Sequence, residues 1–176
     1  MIRIPRTEPD IHFMLVAHLT ATRSTCDRGP QLLFDPPRHG VGAVIVRDGR
    51  VVAGGYNGSP PGCSHCSDLP EHGGGHILRD GHCVRTIHSE ANALMQCALD
   101  GVSPAGACIY CTASPCYDCA KLILRAKIVR VVVGEPYNSR YGLSATALEL
   151  LQAQGLQVQQ LPLSQAQWQV EVPDAD

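Results

Sequence analysis

Nowhere does the chain hold an apolar run near the roughly 20 residues that span a bilayer. Its first residues, MIRIPRTEPD, carry neither the apolar stretch nor the small-residue cleavage site of a signal peptide. The expectation is a soluble protein of the cytoplasm. Cations are sparse as well: among 176 residues only Lys121 and Lys127 are lysines, the arginines are scattered, and the net charge is −2. Such a chain has no large basic field to hold a phosphate backbone, so a small substrate is expected rather than a nucleic acid. Apolar residues make up 44% and charged residues 17%, which excludes disorder and fibrous architectures and leaves enough for a core. At this length one domain is expected over residues 1–162, followed by a Gln-rich, acid-ended tail at 163–176 that is assigned no function.

What is abundant is cysteine. Nine cysteines form an odd count, and cytosolic thiols stay reduced, so a disulfide framework is excluded and metal ligation is favoured. Four of the eight histidines, His65, His72, His76 and His82, fall between Cys63 and Cys83.

Periodicity places the elements. Residues 10–23 read as a helix with Ile11, Met14, Leu15, His18 and Leu19 on one face and Asp10 as N-cap after Pro9. Residues 41–47 and 50–57 flank Asp48-Gly49, the strongest short-range hairpin signal. From Gly58 to Gly81 no period emerges, and a loop this long is expected to be functional or metal-stapled. Residues 89–99 then read as a helix with Ala91, Leu94, Met95 and Ala98 on one face. Residues 107–113 read as a strand, 116–126 as a helix opened by Pro115, 128–134 as a buried strand, 144–154 as a helix stopped by Gly155, and 156–161 as a last strand. An opening hairpin followed by alternating strands and helices predicts an α/β fold, a three-layer α/β/α sandwich on a mixed five-stranded sheet.

Two short motifs open two of these helices. His88-Ser89-Glu90 and Pro115-Cys116-Tyr117-Asp118-Cys119 bring three good zinc ligands and one carboxylate to helix N-termini. Cys116 and Cys119, three apart on a helical turn, point the same way. With His88 they make a three-ligand site, the number a catalytic zinc takes from protein. The pair matches the H-x-E and P-C-x-x-C pattern of zinc deaminases. A second C-x-x-C, Cys108 to Cys111, lies on a strand, where residues three apart face opposite ways; core cysteines are expected there. A zinc ribbon combining all four cysteines fails, because such pairs stand about 15–20 residues apart.

Beyond the zinc motifs, the segments RSTC (23–26), VGAVIV (41–46), GYNGSPPGC (55–63), HCVRTIHSEANAL (82–94) and SPCYDCAK (114–121) resemble the deoxycytidylate deaminase family of the cytidine deaminase superfamily. The likeness runs from about residue 10 to 162. It departs in two places: residues 31–39 read as an insertion between Cys26 and Val41, and Ser89 stands where Ala is common. The resemblance implies a zinc-dependent hydrolytic deamination of deoxycytidylate to deoxyuridylate, which would feed thymidylate synthesis. The alternatives are another cytosine nucleotide or nucleoside, a tRNA or polynucleotide substrate, or a zinc-binding protein without catalysis.

The resemblance also implies roles for residues. Two thiolates and a neutral imidazole cancel the charge of Zn²⁺, so a proton carrier is needed. Glu90 would take a proton from the attacking water, deliver it to N3 of cytosine and move one to the leaving amine. Ser89 and Ser114 would hold the pyrimidine edge through their backbone, and Asn57 the sugar. Asn57 also reads simply as a turn residue ending a strand. Arg23 and Ser24, with Arg85 and Tyr137 behind them, are the candidates for the phosphate, although Arg23 equally suits the end of the first helix. Cys26, Cys66, His82 and Cys83 resemble a structural zinc site, with His65 or Cys63 as substitutes, beside the alternative of unrelated thiols and imidazoles. A homo-oligomer, a hexamer by family resemblance, is implied too.

Overall fold

The computed structural model describes residues 7–32, 39–68, 70–137 and 144–162. Its elements are α1 (Pro9–Ala21), β1 (Gly42–Arg47), β2 (Arg50–Tyr56), a 3₁₀ turn at Pro70–His72, β3 (Leu78–Arg79), β4 (His82–Cys83), α2 (Ser89–Leu99), β5 (Cys108–Ala113), α3 (Tyr117–Arg125), β6 (Arg130–Glu135), α4 (Ser144–Ala153) and β7 (Gln157–Gln160). The predicted tail at 163–176 lies outside the described residues, as do positions 33–38 of the predicted insertion. The ends of that insertion close on each other, with Gln31 and His39 forming an antiparallel bridge.

Five strands form one mixed sheet in the order β2-β1-β5-β6-β7. β1 pairs antiparallel with β2 and β5, whereas β5-β6 and β6-β7 are parallel. The β1-β2 turn is the predicted one: Asp48 (φ 52°) and Gly49 (φ 70°) are both left-handed, as a type I′ turn demands. A second Asp-Gly pair, Asp80 (φ 50°) and Gly81 (φ 76°), turns β3 into β4 inside the long loop. The same dipeptide signal stood in the sequence there, but flanking strands of two residues are too short to show a period.

Strand alternation splits the core in two. Ala43, Ile45, Ile109, Cys111, Val131 and Val133 face α2, α3 and α4, while Val44, Val46, Tyr110 and Val132 face α1. The sandwich is therefore α/β/α, as expected. Cys111 lies in the first of these layers and Cys108 borders the second, so the strand C-x-x-C points its thiols apart.

Two helix faces differ from the expected ones. On α2 the buried residues are Ser89, Glu90, Ala93 and Cys97, and Met95 is 59% exposed. The reason is close packing: a Cβ on Gly55 of β2 would stand 2.3 Å from the Ser89 carbonyl oxygen. No larger side chain fits between helix and sheet at Gly55, so Met95 and Leu99 turn outward while Leu94 packs at the edge of the core. On α1, Phe13, Met14, Ala17, His18 and Ala21 are buried while Leu19 is exposed. Glu8, not Asp10, occupies the N-cap, without a side-chain hydrogen bond. Asp10 is instead drawn across the sheet, where Arg130 Nη1 and Nη2 donate to its two carboxylate oxygens at 2.8 and 2.5 Å and Tyr110 Oη donates at 2.7 Å.

Candidate active site

The site lies beyond the carboxyl ends of the parallel strands β5 and β6, the usual position for ligands in α/β sheets. β5 ends at Ala113, and Ser114-Pro115 carries the chain to Cys116, the N-cap of α3, whose Sγ accepts the Cys119 backbone N–H at 3.5 Å. His88 is the N-cap of α2 in extended conformation. The two caps converge: His88 Nδ1 is 3.5 Å from Cys116 Sγ and 3.7 Å from Cys119 Sγ. Donor atoms around a tetrahedral zinc, with bonds of about 2.3 Å to sulfur and 2.0–2.1 Å to nitrogen, stand about 3.5–3.8 Å apart. The three side chains therefore fit one zinc. One thiolate of the pair is favoured without a metal: a hydrogen bond from the Cys119 thiol, with help from His88, pulls Cys116 below the ordinary thiol range, and the same bond pushes Cys119 up.

Glu90 sits in the first turn of α2 and is 3% exposed. Burial raises its carboxyl above the ordinary carboxylate range, opposed by the nearby His88. Ser89 Oγ donates to its Oε2 at 3.0 Å, which holds the carboxylate in one orientation. Ser89 thus contributes a side-chain contact as well as the backbone expected from the sequence.

A cavity of about 470 Å³ opens over these groups and is lined by His88, Ser89, Glu90 and Cys116 together with Val41, Asn57, Ser114, Tyr137, His82 and Arg28. The Asn57 amide is held rigidly: its Oδ1 accepts from Ser24 Oγ at 2.5 Å and the Val41 amide at 2.8 Å, and its Nδ2 donates to the Cys26 carbonyl at 3.2 Å. Ser114 Oγ accepts the Tyr137 amide at 2.8 Å, and Tyr137 Oη lies 3.2 Å from His82 Nδ1. Of the residues expected at the phosphate, Tyr137 lines the cavity and Arg23, Ser24 and Arg85 do not. Arg23 is exposed and does not line the cavity, and Ser24 acts through Asn57. Arg85 is spent on the carbonyls of Ser64 and Gly73. Arg28, which the sequence reading passed over, is the arginine in the cavity wall. Two residues beyond Cys26 it follows the helix and its turn, whereas Arg23 still belongs to the exposed end of α1.

A second cluster brings Cys26, Cys66, His76 and Cys83 together, one donor atom from each lying within 4.8 Å of all the others. Cys66 Sγ and Cys83 Sγ are 3.5 Å apart, and Cys26 Sγ is 3.8 Å from His76 Nδ1, again tetrahedral-edge distances. The expected fourth donor, His82, is not among them. His82 and Cys83 are neighbours on β4, and successive strand residues face opposite ways; both border the cavity, but only Cys83 directs its donor atom into the cluster. Cys63 and His65 are exposed and lie outside the cluster. Among the described residues, no helix is long and apolar enough to cross a membrane.

An α/β/α sandwich with a His/Cys/Cys cluster and a buried glutamate at two helix N-termini is the arrangement of the zinc deaminases. The family described as "Cytidine and deoxycytidylate deaminase zinc-binding region" matches residues 7–135, and the chain belongs to that family. It is 44% identical over 154 residues to ComE operon protein 2 of Bacillus subtilis, covering 88% of this chain and 71% of the relative. It is 39% identical over 134 residues to the deoxycytidylate deaminase of Mycobacterium phage D29, covering 72% and 94%. The structure of the dCMP deaminase of cyanophage S-TIM5 in complex with dCMP and dUMP superposes with a TM-score of 0.68 at 30% identity, covering 89% of this chain and all of the other.

Proposed function

We propose that the protein hydrolyses the 4-amino group of deoxycytidylate: dCMP and water give dUMP and ammonia. The observation that carries the reading is the buried Glu90 carboxylate beside the His88, Cys116 and Cys119 cluster at the floor of the cavity. Zinc held by those three side chains would supply the Lewis acidity that makes a water nucleophilic at neutral pH. Glu90 does the proton work. It accepts a proton from the attacking water, gives one to N3 of the ring as C4 becomes tetrahedral, and passes one to the departing amine. Burial raises the Glu90 carboxyl above the ordinary carboxylate range, which makes it a stronger base toward water than an exposed carboxylate. Ser89 positions that carboxylate through the 3.0 Å hydrogen bond.

The walls suit a nucleotide. Asn57, fixed by three hydrogen bonds, presents a rigid polar edge for the sugar, Ser89 and Ser114 frame the pyrimidine edge, and Tyr137 closes one side. Arg28 takes the place first given to Arg23 and Ser24 as the donor to the phosphate. The second cluster, Cys26, Cys66, His76 and Cys83, holds a structural zinc that staples the loop between β2 and α2, a segment whose regular strands are two residues each. A homo-oligomer is supported by apolar side chains that the single chain leaves exposed, Met95 and Leu99 on α2 and Leu122 on α3.

Ammonia release measured side by side on deoxycytidine, dCMP, dCTP and adenosine tests the reading. Turnover is expected to be fastest on dCMP. Preference for adenosine, or no turnover on any of the four by zinc-loaded protein, would overturn it.

A further inference from the structure

The four-donor cluster and the substrate cavity share a wall. Cys26 and Cys83, two of the four donors, also line the cavity, and so do the next two residues of the chain, Asp27 and Arg28. The Cys26 carbonyl accepts from the Asn57 amide at 3.2 Å, and Arg28 Nη2 donates to the carbonyl of Gly81 in the β3-β4 turn, two residues before Cys83. Any force that fixes Cys26 and Cys83 therefore also fixes Asn57 and Arg28.

Asp27 closes the loop from the other side. Its Oδ1 lies 3.0 Å from His76 Nε2, while His76 Nδ1 faces Cys26 Sγ at 3.8 Å. A carboxylate on one imidazole nitrogen holds the proton there and leaves the lone pair of the other free for a metal, the arrangement that orients most metal-binding histidines. The Asp27 side chain is 77% exposed, so the pairing with His76 adds little to the stability of the fold by itself. Its consequence lies in orienting the ligand.

We infer that Asp27 is a positioning residue for His76 and that, through the segment 26–28, occupancy of the four-donor cluster sets how tightly the cavity holds its nucleotide. This rests on reading the cluster as a zinc site. A carboxylate that merely faced the cavity would act in the opposite direction: it repels a phosphate, so neutralising it would tighten binding of an anionic substrate.

The test compares wild type with Asp27→Asn, reading zinc stoichiometry, competition for zinc with a chromophoric chelator, and steady-state kinetics on dCMP at limiting and excess zinc. Two zincs per chain are expected in wild type, with one held about tenfold more weakly in the variant, the lower end of what such outer partners contribute. At limiting zinc the KM of the variant should rise severalfold with the change falling on KM rather than kcat, and excess zinc should restore it. Equal zinc affinity in the two proteins, or weaker zinc with an unmoved KM, overturns the inference while leaving the cluster a metal site. A fall in KM that ignores zinc assigns Asp27 to simple repulsion and overturns it too. A single zinc per chain in fully active wild type removes the cluster reading itself.

Discussion

The Ala93 amide nitrogen of α2 lies 2.4 Å from where a Cβ on Gly55 of β2 would stand. No side chain fits between them, so the first turn of α2, which carries Ser89 and Glu90 and follows His88, rests directly on the strand. Gly55→Ala should force that turn outward, costing about 1–3 kcal/mol of stability as overpacking does. Activity should fall by more than the lost stability explains, because Glu90 moves with the turn. Thermal unfolding and turnover at a temperature where the variant is fully folded check this; full activity there would contradict it.

Glu90→Gln keeps the size and the hydrogen bond from Ser89 but cannot carry a proton. Zinc content at the His88, Cys116 and Cys119 cluster should stay at the wild-type value while kcat falls by about 10²–10⁴, the usual scale of a general acid-base group. Metal analysis and ammonia release on the same preparation decide between lost chemistry and lost metal.

His76 and His82 separate two arrangements of the second cluster. His76→Ala and Cys66→Ser should each lower zinc from two to one per chain and lower the melting temperature. His82→Ala should retain both zincs, because His82 faces Tyr137 and the cavity. Loss of a zinc in His82→Ala with retention in His76→Ala would reverse the assignment.

Arg28→Ala should raise the KM for dCMP by about tenfold or more, since a charge-assisted hydrogen bond contributes about 1.5–3 kcal/mol. Weak activity on deoxycytidine, which has no phosphate, should change far less. Arg23→Ala, exposed and outside the cavity lining, should shift neither. Equal losses on both substrates in Arg28→Ala would make that arginine a structural tether to Gly81 alone.

His18 is expected to contribute to the pH dependence of folding. It is 4% exposed, its Nδ1 has no partner among the described residues, and burial pushes its pKa down from 6.5 to about 4. The unfolded chain therefore takes up a proton first as pH falls. Stability contributed by the neutral folded form is complete above pH 6.5 and is lost between 6.5 and about 4, by at most ~3 kcal/mol. His18→Leu should flatten denaturant midpoints across that window. A remaining acid loss below the ordinary Asp value of 3.8 is expected from Asp10, whose carboxyl Arg130 holds down. Unchanged slopes between pH 6.5 and 4 would remove His18 from the account.

The meeting of His88, Cys116 and Cys119 close to Glu90 was legible in the sequence because each motif is local: cap positions on two helices and a three-residue spacing on a helical turn fix where those side chains point. The Asp48-Gly49 hairpin and the buried strand through Val131–Val133 were legible for the same reason, as turn chemistry and apolar runs are properties of neighbours in the chain. The buried face of α2 was not, since the close approach allowed by Gly55 lies on another element and puts Ala93 and Cys97 inside while Met95 is exposed. Asp10 looked like a cap until Arg130, 120 residues away, supplied a stronger partner. His76 and not His82 joins Cys83 in the second cluster, because His82 and Cys83 alternate on β4 and only the fold of the preceding loop brings His76 to Cys83. Arg28 and not Arg23 lines the cavity, because the chain reaches the cavity wall only after the turn that follows α1. Sequence alone determined the chemistry available and the helix ends that hold it; tertiary packing decided which distant side chains meet, because close approach and strand register depend on contacts that no local pattern encodes.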